Sequence, residues 1–384
     1  MKILAIESSC DETAVAVLEG SGDKLKVISN VVASQIAIHK KYGGVVPEVA
    51  AREHVLNIIP VVNEALLKAG LNAKTAPKKI SAIAVTAGPG LITSLIVGVE
   101  SAKALAYAWK LPLVAVNHIA GHIYANFISS PISKSQFPIS KKIPNTKSQN
   151  NQIKFPAIIL TVSGGHNLLV LMTGHLKYKI IGDTRDDAAG EAFDKAAKLL
   201  GLGYPGGPAV ALAASRVRGQ AVEAAKVSSS KFQVSSDGVA SRRIILPRPM
   251  INSKDLDFSF SGLKTALFYQ LQKDKHWSKN RSSYAHEFQQ AVVDTLVAKT
   301  IKAGKKYHAP TIILAGGVSA NLVLRQSLKE AIKNQLPHAK FYLPELVYTT
   351  DNAAMIGAAG YFKFRAGRTI TPAKLKVDPN WDLK

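Results

Sequence analysis

The stretch Ile3-Leu4-Ala5-Ile6-Glu7-Ser8-Ser9-Cys10-Asp11-Glu12-Thr13-Ala14-Val15-Ala16-Val17-Leu18 decides the fold. Two short apolar runs, 3–7 and 14–18, flank a tight polar turn, the pattern of two adjacent buried strands. The same arrangement returns in the second half, where Phe155–Thr161 and Leu168–Met172 enclose the turn Ser163-Gly164-Gly165-His166, and Tyr178–Ile181 reads as a further strand. Outward from the first pair, Glu53–Ala69 carries helical periodicity and Ile80–Thr86 is a β-branched strand. Leu91–Trp109 is a long apolar helix introduced by Gly88-Pro89-Gly90, and Leu113–Val116 leads into a helix bearing His118 and His122. Outward from the second pair come a helix from about Asp187 to Leu200, the strand Thr311–Leu314 with a Gly-Gly turn and a helix from about Asn321. Lys340–Leu343 then precedes a last helix from about Asp351 to Arg365.

This order predicts an α/β chain of two lobes related by an approximate internal repeat, 1–128 and 155–384, with the final helix 351–366 packing back on the first lobe. Two stretches interrupt it. Ser129–Lys154 is rich in Ser, Pro, Asn, Gln and Lys and has no acidic residue, and Arg216–Arg248 holds Ser228-Ser229-Ser230 and Arg242-Arg243. Both read as basic loop insertions.

A length of 384 residues with 47% hydrophobic side chains excludes a disordered or fibrous chain and suits about two domains with filled cores. Glu7 breaks the first apolar run too early for a signal peptide, and no later run reaches the ~18 residues of a membrane span. A cytoplasmic protein without a membrane partner is expected. The single Cys10 excludes internal disulfides and a multi-cysteine zinc site, and reads as a small buried residue before a nucleophile. Lys and Arg total 49 against 26 Asp and Glu, a net charge of +23. That balance favours a polyanionic partner such as nucleic acid, a lysine-rich proteome being the plain alternative. No zinc finger, RNP-type aromatic motif or GXXG clamp is present, so nucleic-acid contact must come from the surface of the main fold.

Three turns carry candidate chemistry. In Glu7–Thr13, short hydroxyl side chains and backbone amides can surround phosphate oxygens, while Asp11 and Glu12 can position a metal, a water or an attacking amine. An acidic hairpin turn is the alternative. In Thr161-Val162-Ser163-Gly164-Gly165-His166 the paired glycines let backbone approach a ligand. Leu314–Asn321 gives a third such turn, feeding a helix N-terminus. His118 and His122 stand four apart on a helix, so both can ligate one metal. No Glu follows His118, which excludes the His-Glu-x-x-His metalloprotease pattern. Asp351 is the best third ligand from afar, with capping of the last helix as its other reading. Asp187, Glu191 and Asp194 can share a helix face suited to ribose hydroxyls or to solvent. Gly203–Pro208 reads as a rigid turn, and Lys264 is available to an anion or is an ordinary surface charge.

Taken in order, Glu7–Thr13, His118/His122, Ser163–His166, Asp186–Lys195, Ser259–Lys264 and Gly316–Asn321 resemble the signatures of the TsaD family of tRNA N6-adenosine threonylcarbamoyltransferases, once described as glycoprotein endopeptidases. The resemblance runs from Ile3 to about Gly367. It implies a two-lobed actin-like ATPase (ASKHA) fold with duplicated βββαβα subdomains. It implies transfer of the threonylcarbamoyl group from threonylcarbamoyl-adenylate to N6 of adenosine 37 in tRNAs reading codons that begin with A, with release of AMP. By the same resemblance one divalent metal, Fe(II) first and Zn(II) second, falls on His118, His122 and Asp351. Substrate contacts fall on Thr161, Val162, Ser163, Gly164, Gly165, Asp194, Gly207 and Asn321, and Asp11 or Glu12 is placed to orient the amine or take its proton. Tyr42–Glu48 looks bacterial in style, implying an inactive paralogue of the same fold and a small P-loop ATPase as partners. The rival readings are a small-molecule kinase on the same fold and a catalytically inactive scaffold.

Overall fold

The computed structural model describes residues 1–129, 153–227 and 244–383, and for 218–227 the backbone alone. Lys134, Lys141, Lys142, Lys147, Arg242 and Arg243 of the expected basic insertions lie outside the described residues. Strands β1 (Lys2–Glu7), β2 (Glu12–Ser21) and β3 (Lys24–Ser34) lead to helices α1 (Ile36–His39), α2 (Pro47–Lys68) and α3 (Ala76–Lys79). Then come β4 (Ala82–Gly88), α4 (Ile92–Trp109), β5 (Leu113–Asn117) and α5 (His118–Tyr124). The second half runs β6 (Ala157–Val162), β7 (Asn167–Gly174), β8 (Lys177–Asp183), α6 (Ala189–Leu199), α7 (Gly206–Val227), α8 (Ser261–Lys273) and α9 (Arg281–Lys306). It ends with β9 (Thr311–Ala315), α10 (Leu322–Gln335), β10 (Lys340–Tyr342) and α11 (Ala353–Arg365).

The two five-stranded sheets have the orders β3-β2-β1-β4-β5 and β10-β9-β6-β7-β8, so the second, read from β8, repeats the first. In each, the central strand pairs antiparallel with the next in sequence (β1 with β2, β6 with β7) and parallel with a later one (β1 with β4, β6 with β9). The inner strands β1, β4, β6 and β9 are covered on both faces, which is why they are near-continuous apolar runs, whereas the edge strand β8 is largely exposed. Alternate residues sort the layers. Ile3 and Ala5 of β1 join Ala157 and Ile159 of β6 in one core with α5 and α11, which lie between the sheets. Leu4 and Ile6 face α2 and α4. Ile158, Leu160 and Val162 face α6 to α10.

Close approach of α11 to the first sheet rests on small residues. A Cβ on Gly360 would overlap that of Ala84, and one on Gly121 would come within 2.6 Å of Ile356 Cδ1. The closeness of α5 to α11 is what brings the two ends of the chain to one site.

Several local expectations are corrected. β3 escapes the sequence reading because polar residues are buried in it: Ser29 donates to Ala65 O, and Asn30 Oδ1 accepts from Ala354 N. α9 is hidden the same way, since Gln289, Thr295, Lys299 and Thr300 are buried on it. Gly206-Gly207-Pro208 opens α7 instead of forming only a turn; proline is tolerated in a helix's first turn. The stretch 216–248 is not all loop, because α7 continues to Val227 and Arg248 is ion-paired with Glu287 and Asp294. Asp351 does not cap the last helix; Asn352 does, accepting from Met355 N at 3.0 Å. Among the described residues no helix is long and apolar enough to cross a membrane.

Candidate active site

Asn117, the last residue of β5, starts α5 by accepting hydrogen bonds from Ile119 N (2.9 Å) and Ala120 N (3.2 Å). His118 therefore stands in the first turn and His122 one turn on, their rings edge to face with centroids 4.7 Å apart. With Asn352 capping α11, the Asp351 carboxylate is free to turn inward. Its Oδ1 lies 3.4 Å from His118 Nε2 and 3.2 Å from His122 Nε2. One ligand atom from each of the three falls within 4.8 Å of the others, and no other such group of His, Cys, Asp and Glu occurs among the described residues.

The trio fits a divalent ion. His122 is 1% exposed, yet neither of its ring nitrogens has a hydrogen-bond partner; the 3.2 Å approach to Asp351 lacks hydrogen-bond angles. A buried nitrogen left so costs about 1–3 kcal/mol unless something takes its lone pair. Two imidazoles and a carboxylate suit Fe(II) or Zn(II) and leave coordination positions open.

Behind the trio lies a carboxylate that the sequence reading did not single out. His118 Nδ1 is 3.1 Å from Glu7 Oε2, with Ser9 Oγ at 3.0 Å. Glu7 also accepts from Thr86 Oγ1 (2.7 Å) and from Ser9 N. A carboxylate on the far nitrogen fixes the tautomer and leaves Nε2 facing the centre. Burial alone would raise Glu7, but the charge and hydrogen bond of His118 hold it below the ordinary range. Burial likewise opposes the charge on His118, yet Asp351 and Glu7 keep it well above its ordinary value. His122 is lowered by burial. Burial would raise Asp351, but His118 and His122 hold it far below the usual carboxylate range. His166, from the β6–β7 turn, is pushed down to about 4 by burial and then by the charges of His118 and His122.

The turn 8–13 is pinned from three sides. Ser8 Oγ donates to Ser94 O at 2.9 Å, Leu91 N donates to Ser9 O at 2.8 Å, and His54 of α2 bridges Thr13 Oγ1 (2.7 Å) and Cys10 O (3.0 Å). A buried histidine at that junction is a positioning residue that no sequence motif announces. Asp11 and Glu12 are both buried. Glu12 accepts from Ser34 Oγ at 3.1 Å, and burial, then Asp351 and Asp11, push it up to about 10. Its surroundings thus favour the protonated carboxyl.

Across the cleft, Ser163 Oγ accepts from His166 N at 3.1 Å, and α6 docks on the turn through Gly190 N to Ser163 O (3.2 Å) and Glu191 N to Gly164 O (3.0 Å). Thr161 Oγ1 is buried without a partner. Gly164, Gly165 and Gly207 have no atom within 4 Å of where a Cβ would stand, and none has a left-handed φ. The space beside them is thus left open, not filled by packing. Asp194 Oδ1 accepts from Gly206 N at 2.7 Å at the start of α7. Tyr204 is raised by burial, then by Asp11 and Asp194. Asn321 caps α10 through Leu324 N (3.0 Å) and donates to Gln289 Oε1 (2.9 Å), so both ends of its amide are engaged within the protein.

The other acids of the 186–195 stretch organise the second lobe. Asp186 accepts from Phe260 N (2.8 Å), Ser261 N (3.2 Å) and Ser259 Oγ, fixing the start of α8. Asp187 and Glu191 both pair with Lys195.

The sequence pattern of TsaD, described as tRNA N6-adenosine threonylcarbamoyltransferase, matches residues 26–143 and 139–358. A protein of that name from Dehalococcoides mccartyi is 49% identical over 368 residues, 96% of this chain and 95% of the relative. Another, from Syntrophomonas wolfei, is 44% identical over 379 residues, 98% of this chain and 96% of the relative. Among solved structures, full-length HypF in the phosphate- and nucleotide-bound form has a TM-score of 0.54 at 12% identity, covering 96% of this chain and 47% of that one. At that identity the likeness is one of fold alone.

Proposed function

The chain belongs to the TsaD family of tRNA N6-adenosine threonylcarbamoyltransferases, and from that premise we propose how its residues carry out the transfer. The acceptor is the N6 amine of a tRNA adenosine. As it attacks the carbamoyl carbon of threonylcarbamoyl-adenylate, a C–N bond forms, the bond from that carbon to the adenylate phosphate oxygen breaks, AMP leaves and the amine loses a proton.

An exocyclic amine is a weak nucleophile, so positioning supplies much of the rate. The open backbone at Gly164, Gly165 and Gly207 takes the adenylate, with Thr161, Ser163 and the backbone of Val162, whose side chain belongs to the core, lining its near side and Asp194 and Asn321 holding the surrounding helices in place. Asp11 orients the amine and receives its proton, while Glu12, protonated, donates to a developing oxyanion. His118, His122 and Asp351 would hold one divalent ion, Fe(II) before Zn(II), which supplies Lewis-acid polarisation of donor oxygens. The observation that carries this reading is the convergence of those three residues, from α5 and the start of the last helix, around an orphaned His122.

The actin-like ATPase fold is supported by the identical strand order of the two sheets. An inactive paralogue of the same fold is the partner expected on α2, where Val55, Leu56 and Ile59 form an exposed apolar strip, with a small P-loop ATPase joining the complex. Its setting is the cytoplasm. The test uses threonylcarbamoyl-adenylate labelled in the threonyl group with unmodified tRNA. Label in the adenosine of tRNA is expected; label passing instead from the γ-phosphate of ATP to a small acceptor would favour a kinase.

A further inference from the structure

A cavity of about 420 Å³ opens between the end of α6 and the start of α8, lined by Lys195, Lys198, Leu199, Lys264, Thr265 and Phe268. The transfer chemistry makes no use of it. Its wall is apolar, made of Leu199, the Phe268 ring and lysine methylenes, and its rim is cationic. The three lysines are not equivalent. Lys195 is neutralised by Asp187 and Glu191, whereas Lys198 and Lys264 have no acidic partner among the described residues. Phe268 is 40% exposed and the neighbouring Tyr269 55%, their rings edge to face at 5.6 Å. An exposed aromatic ring beside two unpaired ammonium groups suits an unstacked base and its phosphate, since stacking accepts any base and the cations take the backbone.

Position argues for the same occupant. α6 begins where Gly190 docks on the Ser163–Gly164 turn, and Lys195 and Lys198 lie five and eight residues further along it. At 1.5 Å per residue that is roughly 8 to 12 Å from the cleft, a span that one or two nucleotides of an extended strand cover.

We propose that this cavity is a nucleotide subsite for the tRNA, which seats a base beside the target adenosine against Phe268 and Leu199 with its phosphate between Lys198 and Lys264. The inference rests on the tRNA-acceptor reading above. It explains why Lys264 stands free at the start of α8.

The test measures binding of unmodified tRNA to the full chain across a salt series, alongside affinity for threonylcarbamoyl-adenylate. Phe268→Ala should weaken tRNA binding about tenfold, as loss of one base-stacking ring does, and Phe268→Trp should keep it. Lys198→Gln with Lys264→Gln should flatten the log–log salt slope by about 0.7 per lysine. Donor affinity should be unchanged in all three. If the wild type binds and modifies tRNA while the Phe268→Ala and double-lysine variants match it in affinity and slope, the subsite is overturned and the transferase reading stands. Unchanged tRNA binding with weakened association of a partner protein assigns the cavity to that protein and also overturns the proposal. A wild type that neither binds nor modifies tRNA overturns both readings.

Discussion

His118 Nδ1 lies 3.1 Å from Glu7 Oε2, so a single hydrogen bond ties the end of the first strand to the start of the histidine helix. The carboxylate decides which imidazole nitrogen faces Asp351. Glu7→Gln keeps the shape but replaces a full negative charge by an amide, removing the group that holds the proton on Nδ1. Metal affinity is expected to fall about 10- to 100-fold with the fold retained, as is usual for loss of a partner behind a ligating histidine. Competitive metal titration against a chromophoric chelator checks it, and wild-type affinity in the variant would refute the role given to Glu7.

Metal uptake should release one proton near neutral pH. Asp351 and Glu7 are held low and are already ionised, and His122, lowered by burial, is already neutral. His118 alone is held in its charged form, by Asp351 and Glu7 against burial, so a cation must displace its proton. Affinity should therefore rise about tenfold per pH unit through neutrality. Calorimetric titration in buffers of different ionisation enthalpy counts the protons; a count of zero would contradict the assignment.

Glu12 sets a pH dependence of opposite sense. In the unfolded chain it loses its proton near 4.5, while the folded chain keeps it up to about 10. Between those values the native state binds more protons, so stability falls as pH rises. In metal-free protein, Glu12→Gln should flatten this decline, its advantage over wild type growing between about pH 5 and 9. Denaturant melts at several pH values measure it, and parallel curves for the two proteins would count against a protonated Glu12.

Gly360→Ala should destabilise the fold by ~1–3 kcal/mol, because the new Cβ would overlap that of Ala84, which has no rotamer to yield with. Ala84→Gly in the same chain should recover most of the loss. Additive destabilisation by the two changes would show that the close contact of α11 with β4 is not what the glycine serves.

How much of this was legible in the sequence depended on where polarity sits. The apolar runs of β1, β2, β6 and β7 stand out in the sequence because most of each strand is buried on both faces. β3 and α9 stayed hidden because Ser29, Asn30, Gln289 and Lys299 occupy buried positions where periodicity expects hydrocarbon. His118 and His122 were visible as a spaced pair, and Asp351 only as a carboxylate near a helix start. Its release for ligation depends on Asn352 taking the cap, a choice made by backbone geometry. Glu7 and His54 could not be singled out, since each acts on a segment far off in sequence.

The expectation is that transfer depends on a divalent ion held by His118, His122 and Asp351. It is tested most directly by stripping the protein of metal and supplying threonylcarbamoyl-adenylate with unmodified tRNA, for the wild type and for His122→Ala, a change the helix absorbs at no propensity cost. No modified adenosine is expected until Fe(II) or Zn(II) is restored, and then only in the wild type; modification at the wild-type rate by the stripped protein or by His122→Ala would rule the metal role out.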